Sequence, residues 1–239
     1  MNRIRAILTL IVTLTFVVSP ALTDPFSGFR ADQLPIPQID PPVQPAGYAF
    51  AIWGLIYGWL VVSAVYGLWK RPRNKAWDRG RLPLIISLAV GTPWLAVANA
   101  SAIWATVLIF VMAGGAIAAL LLAPHKDLWW FRVPVGIYAG WLTAASFVSL
   151  GSTAAGYGIL TGASGWAYIG IIGALIVTGM VLRRVSSPAY GLTVIWALCA
   201  IIIANGSVQI GVSVLAAIGI LAVAGLTQAA RVSGRSDPS

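Results

Sequence analysis

The stretch PPVQPAGYAFAIWGLIYGW, residues 41–59, passes from a proline-rich segment into an apolar segment that carries several aromatic residues. Proline fixes the backbone and lacks an N–H group, so the first part is predicted to be a stiff, irregular loop. From Gly47 to Trp69 the chain has no acidic or basic residue. A helix of about 20 such residues crosses the roughly 30 Å hydrocarbon core of a membrane. The stretch therefore predicts a transmembrane helix that follows a proline-rich loop.

The composition extends this prediction to the whole chain. Of its 239 residues, 59% are hydrophobic and 9% are charged, and glutamate is absent. Soluble domains have about 25% charged residues. Apolar segments long enough to span a membrane lie at approximately residues 6–23, 47–69, 82–99, 102–123, 133–152, 163–182, 188–206 and 208–228. The sequence thus predicts an all-α, polytopic transmembrane bundle of about eight helices.

The basic residues predict the orientation, because short cytoplasmic loops retain Lys and Arg. With the N-terminus inside, 14 of the 15 basic residues fall in cytoplasmic segments. These are Arg3, Arg5, Lys70, Arg71, Arg73, Lys75, Arg79, Arg81, Lys126, Arg132, Arg183, Arg184, Arg231 and Arg235, and only Arg30 is outside. Both termini are therefore predicted to be cytoplasmic. The net charge of +9 is attributed to contact with membrane lipids and not to nucleic-acid binding.

The two ends of the chain are less regular. Residues 1–23 have the plan of a signal peptide, with a basic start and an apolar core, but they lack a clear cleavage site. They are interpreted as a retained first helix, with cleavage as the alternative. Residues 231–239 are predicted to be a disordered cytoplasmic tail.

The helix that begins at Gly47 has two distinct faces when its residues are placed at about 100° intervals. Gly47, Ala51, Gly54 and Gly58 share one sector, which predicts close packing against a neighbouring helix. The adjacent sector holds Phe50, Trp53 and Tyr57. Trp and Tyr can form an interfacial belt, which suits Tyr48 and Trp69 at the two ends of the segment. Trp53 and Tyr57 lie deeper, so their N–H and O–H groups need partners, either from neighbouring helices or from a ligand in a pocket. Trp59 has no assigned role.

Two motifs resemble the TspO/peripheral-type benzodiazepine receptor family, the tryptophan-rich sensory proteins. The first consists of Pro41, Pro42, Phe50, Ile52, Trp53 and Tyr57, with Trp69 closing the helix. The second is FRVPVGIYAGWLTAASF, residues 131–147, which is similar to the fifth helix of that family through Pro134, Tyr138 and Trp141. In this sequence Phe50 is one residue closer to the tryptophan than is usual, and Trp94, Asn99 and Trp104 only loosely match the third helix of the family.

The resemblance implies a five-helix core, residues 1–152, followed by three further helices in residues 153–230, as in larger bacterial relatives. It implies a pocket for a porphyrin, haem or sterol-like ligand, and a location in the bacterial inner membrane. The predicted ligand-binding residues are Phe50, Trp53, Tyr57, Asn99, Tyr138 and Trp141. No cofactor is expected to be required, although porphyrin or haem is expected as a ligand. A homodimer is left open.

The remaining polar residues favour binding over catalysis or ion-coupled transport. None of the eight apolar segments has an ionisable acidic or basic residue in its middle, whereas ion-coupled transporters normally place one there. Asn99, Asn205 and Gln209 are predicted to form interhelical hydrogen bonds, with orientation of a ligand as the alternative for all three. Arg132 is interpreted as a snorkelling anchor, Cys199 as a packing residue, and the lone His125 as no metal ligand. The leading hypothesis is a non-enzymatic binding or sensory protein; the alternative is a carrier for an uncharged or lipid-like solute.

Overall fold

The computed structural model describes residues 2–26, 28–124 and 126–233, with side chains described to residue 230. Its α-helices are α1 (Asn2–Val18), α2 (Ile52–Lys70), α3 (Lys75–Gly91), α4 (Trp94–Ala100), α5 (Ala102–Leu121), α6 (Val133–Gly156), α7 (Ala163–Arg184), α8 (Pro188–Asn205) and α9 (Ile210–Ser233). Eight spans within these ranges are long and apolar enough to cross a membrane. The prediction of an all-α transmembrane bundle is confirmed. Residues 234–239 of the predicted tail lie outside the described ranges.

Successive spans alternate in direction, so the connections gather at two ends of the bundle. The loop end carries residues 23–26 and 28–46, the 3-10 helix Gly47–Ala51, and the turn between α4 and α5. The basic end carries residues 71–74, 122–124 and 126–127, and a π-helical turn at Leu128–Arg132 that leads into α6.

Helix α6 lies at the centre of the bundle and packs against α5, α7 and α8. Small residues permit the close approach, because lipid provides no hydrophobic drive for helices to associate. At Gly140 a Cβ atom would lie 2.7 Å from the carbonyl oxygen of Tyr190 in α8. Glycine is therefore required there, and it holds the C-terminal helices directly against the central helix.

The third span differs from its predicted boundaries. The segment 82–99 was predicted as one helix, but α3 begins at Lys75 and a break at Thr92 and Pro93 separates it from α4. Asn74 caps α3, since its side-chain oxygen accepts hydrogen bonds from the backbone N–H groups of Ala76 at 2.9 Å and Trp77 at 3.1 Å. The helix thus includes charged residues that the prediction had placed in a loop.

Those charged residues form a bonded network at the basic end. Arg81 is only 1% exposed, and its Nη2 atom donates to the carbonyl oxygens of Gly67 at 2.9 Å and Arg71 at 2.8 Å. Asp78 accepts from Arg5 of α1 at 2.7 Å and lies 3.9 Å from Arg81. Arg81 therefore caps the C-terminal carbonyl groups of α2 and ties that helix to α3.

Asp127 completes the network from the other side. Its carboxylate accepts from Nε of Arg71 at 2.8 Å, from Nη2 of Arg71 at 3.1 Å, and from the indole N–H of Trp77 at 3.0 Å. The hydrogen bonds from Arg71 hold the pKa of the Asp127 carboxyl below its usual value, against the opposing effect of burial. Arg132, which was predicted to snorkel, is buried instead, with Nη2 at 3.4 Å from the carbonyl oxygen of Ala123.

The predicted packing face of α2 is wrong. Gly47, Ala51, Gly54 and Gly58 are all exposed, and a Cβ atom at any of the three glycines would meet nothing within 4 Å. The buried residues of α2 are Ile56, Leu60, Ser63, Ala64 and Gly67. Of these, Ile56 and Leu60 bury apolar area against the other helices. Ser63, Ala64 and Gly67 are the small residues of the face that meets the bundle, and Gly67 lies directly against the ring of Trp77. The four predicted residues are left at the outer surface.

Candidate functional site

A cavity of about 270 Å³ opens at the loop end, among α1, α2, α5, α6 and α8. Its aromatic lining comes from four of the spans and from the loop: Phe16, Phe26, Phe29, Phe50, Trp53, Tyr57, Trp94 and Trp141. Met112 and Ile109 of α5 add aliphatic surface. Binding sites for small molecules typically combine such an apolar lining with a few polar groups, so this cavity is the candidate site.

The rings of the cavity wall contact one another in edge-on and stacked geometries. Trp53 stacks on Tyr57, with ring centroids 5.3 Å apart, as expected for side chains four residues apart on a helix. Trp141 of α6 meets Trp53 edge-on at 6.3 Å and Phe50 at 5.7 Å. The wall is therefore formed jointly by α2 and α6, the helices that carry the two sequence motifs.

Phe16 of α1 lies at the centre of this cluster. Its ring is 5.4 Å from that of Tyr57, 6.0 Å from that of Trp53 and 5.7 Å from that of Tyr138, in each case edge-on. The sequence interpretation missed this residue, although Phe16 is the only aromatic residue among positions 1–23. The first segment thus contributes directly to the site.

Four of the six predicted site residues line the cavity: Phe50, Trp53, Tyr57 and Trp141. Tyr138 lies behind the wall. Its side chain is fully buried, and its hydroxyl is 3.0 Å from that of Ser87, which in turn donates to the carbonyl oxygen of Met112 at 2.7 Å. Tyr138 therefore supports the wall from behind and does not border the cavity.

Asn99, the sixth predicted residue, binds the loop. Its Nδ2 atom donates to the carbonyl oxygen of Asp24 at 3.0 Å, and it does not line the cavity. Asn205 likewise donates to the carbonyl oxygen of Pro42 at 2.8 Å, while Gln209 accepts from Ser164 of α7 at 3.4 Å. Of these three residues, only Gln209, in the turn between α8 and α9, bonds to the side chain of another helix. Asn99 and Asn205 fasten the loop over the bundle.

The proline-rich loop forms the cover of the cavity through Pro25, Phe26, Phe29 and Pro45. Further hydrogen bonds hold it in place, from Gln33 to the carbonyl oxygen of Ala98 at 2.8 Å and from the N–H of Ile36 to the carbonyl oxygen of Gly156 at 2.9 Å. A stiff segment loses little conformational entropy when it is held in this way. The cover is thus a fixed part of the site.

The hydrogen-bond donors of the cavity wall divide into two groups. Trp94 donates its indole N–H to the carbonyl oxygen of Ala105 at 2.9 Å. In contrast, the indole N–H groups of Trp53 and Trp141 and the hydroxyl of Tyr57 bond to no residue that the structure describes. Buried donors are normally paired, so these three groups are available to a ligand with a hydrogen-bond acceptor.

The described lining contains no Lys, Arg or His, and its one carboxylate is that of Asp24. His125, the one histidine of the sequence, lies outside the described residues. Tyr57 and Met112 are of types that can bind haem iron, but the carboxylates of haem would have no cationic partner in this lining. Charged groups buried without a partner are strongly unfavourable. Haem and other porphyrin carboxylates therefore do not fit the lining as well as an uncharged ligand does.

The C-terminal helices also reach the site. Ala197 and Ile201 of α8 line the cavity. Beside them, Trp196 donates to the carbonyl oxygen of Ala49 at 3.1 Å, and the carbonyl oxygen of Ala200 accepts from the N–H of Ala46 at 3.0 Å. Helix α8 is therefore part of the wall and holds the start of α2, which the motifs alone did not reveal.

Comparison with known proteins gives one family. A family model described as TSPO-like protein matches residues 4–228. The match extends through the last spans, beyond residue 150 where the motif resemblance ended. No curated protein and no solved structure gives a significant match to the chain.

Proposed function

This chain belongs to the TSPO-like protein family, and on that premise we propose that it is a non-enzymatic membrane binding or sensory protein. Its ligand is a planar apolar molecule that enters the cavity and contacts the rings of Phe50, Trp53 and Trp141. One observation carries the proposal: Trp53, Tyr57 and Trp141 present unpaired donors in an otherwise apolar cavity. A ligand acceptor that pairs with them adds binding energy and fixes orientation.

The lining further favours an uncharged ligand among those that the family resemblance implies. A sterol-like molecule or a porphyrin ester brings a hydroxyl or carbonyl group without a formal charge, whereas a porphyrin diacid brings two carboxylates next to Asp24. The volume of about 270 Å³ is close to the roughly 300 Å³ lower limit of ligand pockets.

A matched pair of porphyrins tests the proposal. The full chain in a neutral detergent is titrated with a porphyrin dimethyl ester and, separately, with the corresponding diacid, and binding is followed by the absorbance of the porphyrin. We expect saturable binding of the ester and weaker binding of the diacid. Absence of saturable binding by the ester and by a sterol would contradict the proposed function, and tighter binding of the diacid would contradict the assignment of an uncharged ligand.

Tryptophan-to-phenylalanine variants test the role of the donors, because phenylalanine keeps an aromatic ring and removes the N–H group. Trp53→Phe and Trp141→Phe should each weaken ester binding about fivefold, the effect of one hydrogen bond of roughly 1 kcal/mol. The matched control is Trp94→Phe, whose N–H is already bonded to Ala105. It should lower stability and weaken ester binding less than Trp53→Phe and Trp141→Phe do, because it reduces the ring in the lining without removing a donor that is open to the ligand. Equal affinities for all three variants would show that the donors do not contact the ligand.

A carrier for an uncharged or lipid-like solute is the second candidate, favoured by the presence of Ala197 and Ile201 of α8 in the cavity wall. Helices beyond the five-helix core then form part of a path across the membrane. The full chain is reconstituted in proteoliposomes, and uptake of the porphyrin ester is measured. Uptake well beyond one molecule per chain would favour the carrier. Uptake that stops at the binding stoichiometry favours the binding protein.

The proposed function includes no chemical step. To test whether the chain alters its ligand, the purified chain is illuminated together with the porphyrin ester and the absorbance spectrum of the ester is recorded. The spectrum should remain that of the ester; a new product spectrum that requires the folded chain would identify an enzyme instead.

A further inference from the structure

We propose that the basic end carries a second binding site, for the phosphate group of an anionic phospholipid. A groove of about 630 Å³ lies between the start of α1 and the end of α2. Its lining includes Arg3 from α1, Trp69 and Lys70 from α2, and Arg73 from the following turn. This site is remote from the cavity, and the proposal does not depend on what the cavity binds.

Three of the four cations that line the groove have no carboxylate partner among the described residues, and the fourth, Arg71, is paired with Asp127. Asp78 pairs with Arg5 and Asp127 pairs with Arg71. The other described acidic residues, Asp24, Asp32 and Asp40, belong to the loop end. Arg3, Lys70 and Arg73 are exposed and make no ion pair in the described part of the chain. Three unneutralised cations therefore converge on one groove, which calls for an anion.

The groove lies where a lipid headgroup would lie. Lys70 ends α2, and Trp69 is 73% exposed, as for a tryptophan at the boundary between hydrocarbon and headgroups. The ammonium group of Lys70 is 3.7 Å from the centroid of that ring. Ile4, next to Arg3, is 62% exposed and begins the apolar outer surface of α1. A phospholipid can contact both features, since its phosphate binds the cations and its acyl chains contact the exposed apolar surface. A free phosphate would contact the cations alone.

The turn that carries these cations is held in place. Arg71 is bound to Asp127 through two hydrogen bonds, and its carbonyl oxygen accepts from Arg81. Lys70 and Arg73, on either side of this fixed segment, are therefore presented in a defined arrangement. Other basic residues of the chain, such as Lys75, Arg79 and Arg184, are exposed but do not line the groove. They provide a matched control.

Lipid retention tests the proposal. The full chain is placed in nanodiscs of equal parts phosphatidylglycerol and phosphatidylcholine, released, and examined by native mass spectrometry. We expect the wild-type chain to retain phosphatidylglycerol preferentially. The single variants are Arg3→Gln, Lys70→Gln and Arg73→Gln. Each should lower the ratio of retained phosphatidylglycerol to retained phosphatidylcholine about fivefold, which corresponds to roughly 1 kcal/mol for one cation at an anionic surface. The triple variant should lose the preference.

The control is the triple variant Lys75→Gln, Arg79→Gln and Arg184→Gln, which removes the same charge and should keep the wild-type ratio. Circular dichroism checks that both triple variants remain helical. An equal loss in the control would overturn the proposal in favour of diffuse attraction by the whole basic end. A wild-type ratio in the groove variant would also overturn it. Displacement of the lipid by millimolar inorganic phosphate would show that the groove binds a free anion and would equally overturn it.

Discussion

The two ends of the bundle use the same residue types in opposite ways. At the basic end, the indole N–H of Trp77 donates to Asp127, and the guanidinium groups of Arg71 and Arg81 donate to a carboxylate and to carbonyl oxygens. At the loop end, the N–H groups of Trp53 and Trp141 bond to no described residue. Pairing of the donor, and not the aromatic ring, is therefore what distinguishes a packing tryptophan from a candidate ligand contact.

The difference has an energetic consequence. Paired donors at the basic end stabilise one arrangement of α2, α3 and the turn before α6. Unpaired donors at the loop end contribute nothing to the folded chain and leave a cost that a ligand can remove. Stability and ligand affinity should consequently respond to different residues.

The largest expected effect is on stability, from Arg81→Met. Methionine keeps much of the length of the buried side chain but leaves the carbonyl oxygens of Gly67 and Arg71 without their donor. We expect a loss of about 3 kcal/mol in the free energy of unfolding, the scale for breaking a buried charged contact. The unfolding midpoint in detergent measures this loss, and titration with the porphyrin ester should give the wild-type affinity.

Lys75→Met is the control for Arg81→Met, because Lys75 is exposed at the start of the same helix. It should leave both the midpoint and the affinity unchanged. If Arg81→Met weakened ligand binding without lowering stability, it would be wrong that the basic end determines stability and the loop end determines ligand affinity.

The sequence predicted the bundle well because apolar length is a local property of the chain. The eight spans and the two motifs needed no knowledge of tertiary contacts. Asn74 marks the start of α3 locally as a helix cap, but the start was missed because the charged residues that follow it need partners distant in sequence. Asp78 and Arg81 are stable inside a span only because Arg5 and the end of α2 meet them, and no pattern within residues 70–82 indicates that.

The part of the site that lies on one helix was predicted, whereas the part that depends on packing between distant helices was not. Phe50, Trp53 and Tyr57 share one helix sector, which the 100° rule of a helix reveals. Phe16 and the residues of α8 reach the cavity through packing among helices that lie far apart in the sequence. Conversely, the residues Gly47, Ala51, Gly54 and Gly58 were correctly placed on one face by the helical period. That face was predicted to pack against another helix of the chain, but it is exposed. Periodicity shows which residues share a face, but it does not show what that face meets.

A smaller effect on stability is expected from pH, through Asp127. Because Arg71 lowers the pKa of Asp127 in the folded chain, the unfolded chain binds more protons at low pH, and stability rises with pH. The contribution should be complete above about pH 5 and should decline as the pH falls below the unfolded value of about 3.9. Since the side chain of Arg71 is 35% exposed, we expect about 1 kcal/mol, near the upper range for exposed pairs.

Asp127→Asn isolates this contribution. Asp127 has a left-handed backbone with φ of 67°, which asparagine also tolerates, so the turn should be retained. The difference in unfolding free energy between the wild-type chain and the variant should shrink as the pH is lowered from about 5 to about 3. A difference that stayed constant over this range would mean that the Asp127 carboxyl does not carry the effect.

The smallest expected effect is at the exposed face of α2, from Gly58→Ala. The added methyl group meets nothing within 4 Å in the single chain, so the free energy of unfolding should rise by about 0.5 kcal/mol through the higher helix propensity of alanine. Gly67→Ala is the comparison on the same helix. There the methyl group would lie 2.6 Å from the ring of Trp77, and the network at the basic end should lose stability.

Light scattering after size-exclusion chromatography extends the test to a second copy of the chain. A methyl group that meets no clash within one chain would still separate two helices packed through Gly54 and Gly58, since small residues act by allowing close approach. An unchanged mass for Gly58→Ala is expected if this face meets lipid. A lower mass than that of the wild-type chain would instead place a partner on α2, directly behind the helix sector that carries Trp53 and Tyr57.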